Sequence, residues 1–303
     1  MDANASDGDG KLVALEKIQG FLKDMGDAHT RHTGYPALKI PRRDVANLKY
    51  VLPQDAHEGA LQLRGDVVIK RDTCVARMVV VAAKALELRR KNEFRNQRDI
   101  YYQLKSEPEF ALFPNEGLWY GAIADLASYF ERPRFGLGFV ASPKGFFAGA
   151  VEVLIGGTWV RADTAMSINS DWLTDSPQIR NCGARYVVAV EDDGVFGALV
   201  RDGLHRNCVL VTGCGMADMA TRACLHRIAT KFDTLPVYGV ADWNPDGVGI
   251  VLTYKLGSAN LGTESLLYAV PRLQWLCLRL SQATHFDING LHATGVAIRL
   301  RVV

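Results

Sequence analysis

Between Leu12 and Leu22 the apolar residues Leu12, Leu15, Ile18, Phe21 and Leu22 recur at spacings of three and four, which predicts an amphipathic helix over 11–25. Ahead of it, residues 1–10 are rich in Asp, Gly and Ala and read as a disordered tail. Residues 29–60 are weakly patterned, with an extended piece around Lys49 to Leu52. LQLRGDVVIKR (61–71) predicts two short strands turning at Gly65-Asp66. Three helices are then expected: Ala76 to Arg90, one opening near Asn96 and running through RDIYYQLK, and Trp119 to Phe130. Helices with a short strand pair are the pattern of a winged-helix-like module, expected over 11–133.

The pattern changes after Glu131-Arg132-Pro133. FGLGFVAS (135–142) reads as a strand, and AVEVLI and TWVRAD flank Gly156-Gly157, a hairpin signal because such a turn needs positive φ. Three short apolar runs follow, YVVAVE (186–191), CVLVTG (208–213) and VYGVAD (237–242). Helical stretches alternate with them, one of them from about Asp218 to Lys231. Buried strands alternating with helices predict an α/β domain with a mainly parallel sheet over 134–303.

Composition narrows the class. The chain has 303 residues, 48% hydrophobic and 22% charged, which excludes a mostly disordered or collagen-like protein. It holds no apolar run of membrane-spanning length, so no membrane partner is expected, and its acidic start is unlike a secretory signal. The six cysteines form no C-x-x-C pair, which fits reduced thiols better than disulfides or zinc. The net charge of +2 means that any nucleic acid must be met by local patches. One such patch lies between Lys84 and Arg98: Lys84, Arg89, Arg90, Lys91, Arg95 and Arg98 stand against Glu87 and Glu93. Such a run is commonly a solvated helical face.

The candidate chemistry lies at strand ends. Glu191 closes YVVAVE, and Asp242 closes VYGVAD with Asn244 two residues on. In an open parallel sheet, ligands bind outside the carboxyl ends of the strands, and three oxygen donors there suit a hard cation such as Mg²⁺. The same residues also serve as helix caps, and both roles stay open on the residues alone. GCGMAD (213–218) is placed like a dinucleotide-binding loop but lacks the third glycine and a ribose-binding acid at a suitable distance. The histidines show no metal-ligand spacing.

Taken in order, E-x-x-G-x-F (191–196), V-T-G-x-G (211–215) and D-x-N-P-x-G (242–247) resemble the Toprim domain of topoisomerases, primases and some nucleases. TYKLGS (253–258), QRDIYYQ (97–103) and the link from Arg134 through SPKG to Gly149 narrow the resemblance to the type IIB topoisomerase A-subunit family, including its eukaryotic meiotic double-strand-break branch. The resemblance runs over about 76–282. It implies that Tyr102 is the nucleophile attacking a DNA phosphodiester, leaving a 5′-phosphotyrosyl link, while Tyr101 points elsewhere. Arg98, one turn earlier, then offsets charge on the phosphate. Glu191, Asp242 and Asn244 hold Mg²⁺. Arg89, Arg90, Lys91, Arg95 and Lys144 become candidate contacts to the backbone of double-stranded DNA, with little sequence specificity.

The resemblance further implies a homodimer in which one protomer's tyrosine meets the other's metal site. The function expected is DNA breakage that initiates meiotic recombination, in the nucleus. Two alternatives are the A-type component of a type II, ATP-dependent topoisomerase and a catalytically silent DNA-binding or assembly paralogue. This sequence carries no ATPase module of the histidine-kinase-like type, so strand passage would need a B-type partner subunit. Three features depart from the family pattern. Asn244 replaces the second acid of D-x-D, Asp192 and Asp193 stand where Lys and Glu are usual, and 283–303 look unrelated to the usual C-terminal helical segment.

Overall fold

The computed structural model describes residues 13–31, 33–41, 48–51, 60–63, 65–174, 177–257, 264 and 267–276. The expected tail over 1–10 and the departure over 283–303 lie outside the described residues. Contacts divide the chain into two compact units. The first comprises Met1–Val51, Leu61–Ser142 and Ala259–Leu266, and the second Leu52–Ala60, Pro143–Ser258 and Leu267–Val303.

The first unit is mainly helical. Its elements run α1 (Leu15–Thr30), β1 (Leu38–Pro41), β2 (Leu48–Val51), β3 (Ala60–Leu63), β4 (Asp66–Ile69), α2 (Asp72–Arg90), β5 (Arg95–Asn96), α3 (Gln97–Leu104), α4 (Glu116–Tyr129) and β6 (Phe139–Val140). The apolar stripe of α1 buries Ile18, Phe21 and Met25 beside Met78, Val81 and Ala85 of α2 and Trp119, Ile123 and Leu126 of α4. The turn expected at Gly65-Asp66 does not join a hairpin. β4 pairs antiparallel with β1, Leu38 opposite Ile69 and Pro41 opposite Asp66, and β3 lies in a separate two-stranded sheet with β2. The strand expected over 135–142 is also revised. Arg134–Leu137 is a 3₁₀ turn closed by Gly138 at φ 91°, and β6 alone pairs, parallel with β5. Phe135, Leu137 and Phe139 are buried, so this stretch is apolar because it is core.

The second unit continues with β7 (Phe146–Gly149), β8 (Val151–Ile155), β9 (Thr158–Arg161), β10 (Met166–Ser167), β11 (Ile179–Asn181), β12 (Val187–Val190), α5 (Asp193–Arg201), β13 (Val209–Thr212), α6 (Met219–Lys231), β14 (Val237–Val240), α7 (Pro245–Leu256) and β15 (Gln274–Trp275). A six-stranded sheet has the order β10-β7-β13-β12-β14-β15. β13, β12, β14 and β15 are parallel, and β7 and β10 add an antiparallel edge. All four residues of β12 and of β13 are buried, as strands covered on both faces must be. Gly156 (φ 57°) and Gly157 (φ 82°) make the two-residue turn between β8 and β9, with Ile155 opposite Thr158.

The strand order fixes where a ligand can enter. From β12 the chain passes through α5 to β13 on one side, and from β14 through α7 to β15 on the other. The two loops therefore diverge at the carboxyl ends of neighbouring strands, opening a crevice between them.

Candidate active-site residues in the two units

In the second unit that crevice is lined by acids. Glu191 follows β12 directly, and its Oε2 accepts the backbone N–H of Asp242 at 2.8 Å. The Glu191 N–H in turn donates to the Val240 carbonyl at 2.9 Å, so the ladder of β12 and β14 carries both acids into the crevice. Asn244 caps α7, its Oδ1 accepting the Gly247 N–H at 2.8 Å, with Pro245 opening the helix. Asp192 caps α5 by accepting the Val195 N–H at 2.9 Å. Capping thus engages Asn244 and Asp192, whereas Glu191 and Asp242 stand ahead of the helices.

Lys144 stands at the same edge of this sheet. Its backbone N–H donates to Asp218 Oδ2 at 2.8 Å and its ammonium reaches the Cys214 carbonyl at 3.3 Å. Gly215, the residue after Cys214, donates its N–H to the Glu191 carbonyl at 2.8 Å. Asp218 also caps α6, so the GCGMAD loop orders a strand end and a helix start. The donors here are hard oxygens, a set that suits Mg²⁺ rather than a thiophilic metal. Among the described residues no group of three or more His, Cys, Asp or Glu side chains could hold a metal ion. A cation in the crevice would therefore rest on two carboxylates, the Asn244 amide oxygen, and oxygens supplied by water or phosphate.

In the first unit, α3 presents the tyrosine pair. Asn96 caps it, accepting the Arg98 N–H at 2.8 Å and donating to the Ser142 hydroxyl. The Trp119 indole donates to the Gln97 carbonyl at 2.8 Å and ties the first turn of α3 to α4. Successive helical residues diverge by about 100°, and the two rings part accordingly. Tyr101 is buried, its hydroxyl reaching the Phe113 carbonyl at 3.4 Å, whereas Tyr102 is 52% exposed.

Sequence reasoning missed what faces Tyr102. Its hydroxyl donates to Oε1 of Glu116 at 2.5 Å, and Tyr120 donates to Oε2 of the same carboxylate at 2.6 Å. The Arg98 Nε lies 3.8 Å from Glu116 Oε2, and its guanidinium is 5.8 Å from the centre of the Tyr102 ring. The Lys105 ammonium lies 5.9 Å from the same ring. The hydrogen bonds from Tyr102 and then Tyr120 hold the Glu116 carboxyl below its ordinary range. Burial, and then the Glu116 carboxylate, push the Tyr120 phenol up to about 12. Tyr102 and then Glu116 stabilise the charged form of Arg98. The signal for Glu116 lay in Asn115, which caps α4 by accepting the Leu118 N–H at 3.1 Å. Starting that helix at Trp119 left its first turn, and Glu116 with it, unread.

The basic run is not uniformly available. Glu87 binds both Lys84, at 2.7 Å, and Lys91, at 2.8 Å. Arg89 is half-buried with its guanidinium 5.8 Å from the centre of the Phe94 ring, and Arg95 is half-buried within β5. Arg90 and Arg98 are exposed. No helix among the described residues is long and apolar enough to cross a membrane.

Residues 186–297 match the family model of the Toprim domain shared by the topoisomerase 6 A-subunit and Spo11. The chain is 34% identical over 190 residues to meiotic recombination protein SPO11-2 of Oryza sativa subsp. indica, covering 60% of this chain and 49% of that protein. It is 32% identical over 191 residues to SPO11-2 of Arabidopsis thaliana, covering 60% and 49%. Against human meiotic recombination protein SPO11 it is 28% identical over 288 residues, covering 90% and 70%. The chain spans about half the length of the plant relatives it matches.

Proposed function

We propose that this chain, whose residues 186–297 match the family model of the topoisomerase 6 A-subunit and Spo11 Toprim domain, cleaves double-stranded DNA by transesterification to initiate meiotic recombination. The observation that carries the reading is the presence in one chain of an exposed Tyr102 with Arg98 beside it, in the first unit, and of Glu191 and Asp242 at the switch point of the sheet, in the second. The first unit acts as a winged-helix-like DNA-binding domain. Tyr102 attacks phosphorus, Arg98 offsets charge on the phosphate oxygens, and Arg90, Arg95 and Lys144 contact the DNA backbone. Arg89 and Lys91 are weaker candidates, because one packs on Phe94 and the other is paired with Glu87.

Glu191 and Asp242, with the amide oxygen of Asn244, would hold Mg²⁺, which when bound compensates charge on phosphate oxygens. The protein acts as a homodimer in the nucleus, one protomer's tyrosine serving the other's acids, together with a B-type ATPase-like partner subunit. Incubation with labelled duplex DNA and Mg²⁺, trapped by denaturant, should leave a covalent adduct for the wild type and none for Tyr102→Phe. Absence of adduct from both, with DNA binding retained, would favour a silent assembly paralogue instead. The amide at Asn244, which brings no charge, is the feature that favours this second reading.

A further inference from the structure

The Tyr102 phenol must shed a proton as it attacks phosphorus, and the hydrogen bond it donates identifies where that proton can go. Glu116 Oε1 is 2.5 Å from the phenolic oxygen. The other carboxylate oxygen is held by Tyr120 at 2.6 Å, which fixes the orientation of Oε1 toward Tyr102. Resting on the cleavage reading above, we propose that Glu116 is the proton acceptor for Tyr102. As the Oη–P bond forms and the P–O3′ bond breaks, the phenolic proton passes to Glu116 Oε1. The departing 3′ oxygen takes a proton from water, and Glu116 returns its own to solvent.

The groups around the carboxylate suit this role. Tyr102 and Arg98 face it from α3, Lys105 from the residue just after α3, and Tyr120 from its own helix. The hydrogen bonds that hold the Glu116 carboxyl low keep it ionised at neutral pH and ready to accept. The same bonds make it a weak base, so the transfer must accompany bond formation to phosphorus rather than precede it. Arg98 and Lys105 limit the cost of a carboxylate close to an incoming phosphodiester. A purely structural Glu116, one that merely tethers two rings, would predict the same contacts but a different dependence on pH.

The test is the initial rate of adduct formation on duplex DNA with Mg²⁺, measured for the whole chain from about pH 7 to about pH 10, where a tyrosine phenol ionises unaided. Glu116→Gln keeps an oxygen acceptor for Tyr102 but cannot take the proton. It should cleave about 100-fold more slowly at about pH 7, with the deficit closing toward about pH 10. Glu116→Asp, a carboxylate of shorter reach, should retain the wild-type pH profile at a reduced rate. Equal rates for wild type and Glu116→Gln would overturn the assignment, and so would a deficit that stays constant with pH in both variants. Failure of the wild type to form an adduct through Tyr102 would remove the cleavage reading and this assignment with it. Adduct formation with a flat Glu116→Gln profile would remove this assignment alone.

Discussion

The backbone N–H of Asp242 donates to the Glu191 carboxylate at 2.8 Å, so the first acid of the crevice holds the backbone of the second. Glu191→Gln preserves an acceptor for that N–H while removing a charge. We expect Mg²⁺ affinity and cleavage to fall by at least about 100-fold with little change in thermal stability. Titration calorimetry with Mg²⁺ and the adduct assay check this, and unchanged Mg²⁺ binding would dismiss Glu191 as a ligand.

Asn244 has a duty in the fold that is separate from any metal. Asn244→Ala removes the cap on α7 and should cost about 1 kcal/mol in denaturant unfolding. Asn244→Asp keeps the cap, adds a carboxylate beside Asp242, and should tighten Mg²⁺ binding at little cost in stability. Looser binding in the aspartate variant would argue against the position as a ligand.

Gly247 is crowded by the loop it helps to shape. A Cβ there would sit 2.2 Å from the Asp242 carbonyl oxygen, a backbone atom that cannot swing aside. Gly247→Ala should therefore displace the Asp242 loop, cost about 1–3 kcal/mol and weaken Mg²⁺ binding together. Wild-type stability and binding would mean that the loop is looser than its geometry.

Trp119 tethers the helix that carries Tyr102. Its ring is buried among Phe110, Phe113 and Phe139, and its indole N–H bonds the Gln97 carbonyl at the start of α3. Trp119→Phe should cost about 1–3 kcal/mol, since the volume shrinks and the carbonyl loses its donor. Cleavage should fall more than DNA retention does, because α3 loses its tether. Equal losses in both assays would point to general unfolding.

Glu87 supplies a pH prediction. The hydrogen bond from Lys84, then that from Lys91, lowers its carboxyl to about 2 from an ordinary 4.5. A depressed folded-state value means that the stabilisation is complete above about pH 4.5 and is lost as pH falls toward about 2. With the Glu87 side chain 45% exposed, solvent screening keeps the effect to about 1 kcal/mol or less. The stability gap between wild type and Glu87→Gln should close over that window, and a gap that persists in acid would refute the pairing.

Much of this was legible in the sequence, for physical reasons that can be named. β12 and β13 read as apolar runs because both faces are covered, and Glu191 and Asp242 stood out as charges ending such runs. The helix starts near Asn96 and Asp218 were legible too, and both residues prove to be caps. The pairing of β4 with β1, rather than with the preceding strand, was not legible, since period-two alternation carries no partner identity. The 3₁₀ turn over Arg134–Leu137 was hidden because core loops and strands can be equally apolar. Glu116 was missed because it lies fourteen positions from Tyr102 in the sequence, and only the packing of α4 beside α3 reveals the contact.

Tyr101 and Tyr102 are chemically identical neighbours given opposite fates by the winding of one short helix. Which ring meets solvent is thus a matter of phase. Inserting a single residue between Asn96 and Tyr101 would rotate the doublet by about 100° and carry Tyr101 into the exposed place of Tyr102, whereas deleting one would carry Tyr102 into the buried place of Tyr101, with every side chain still present.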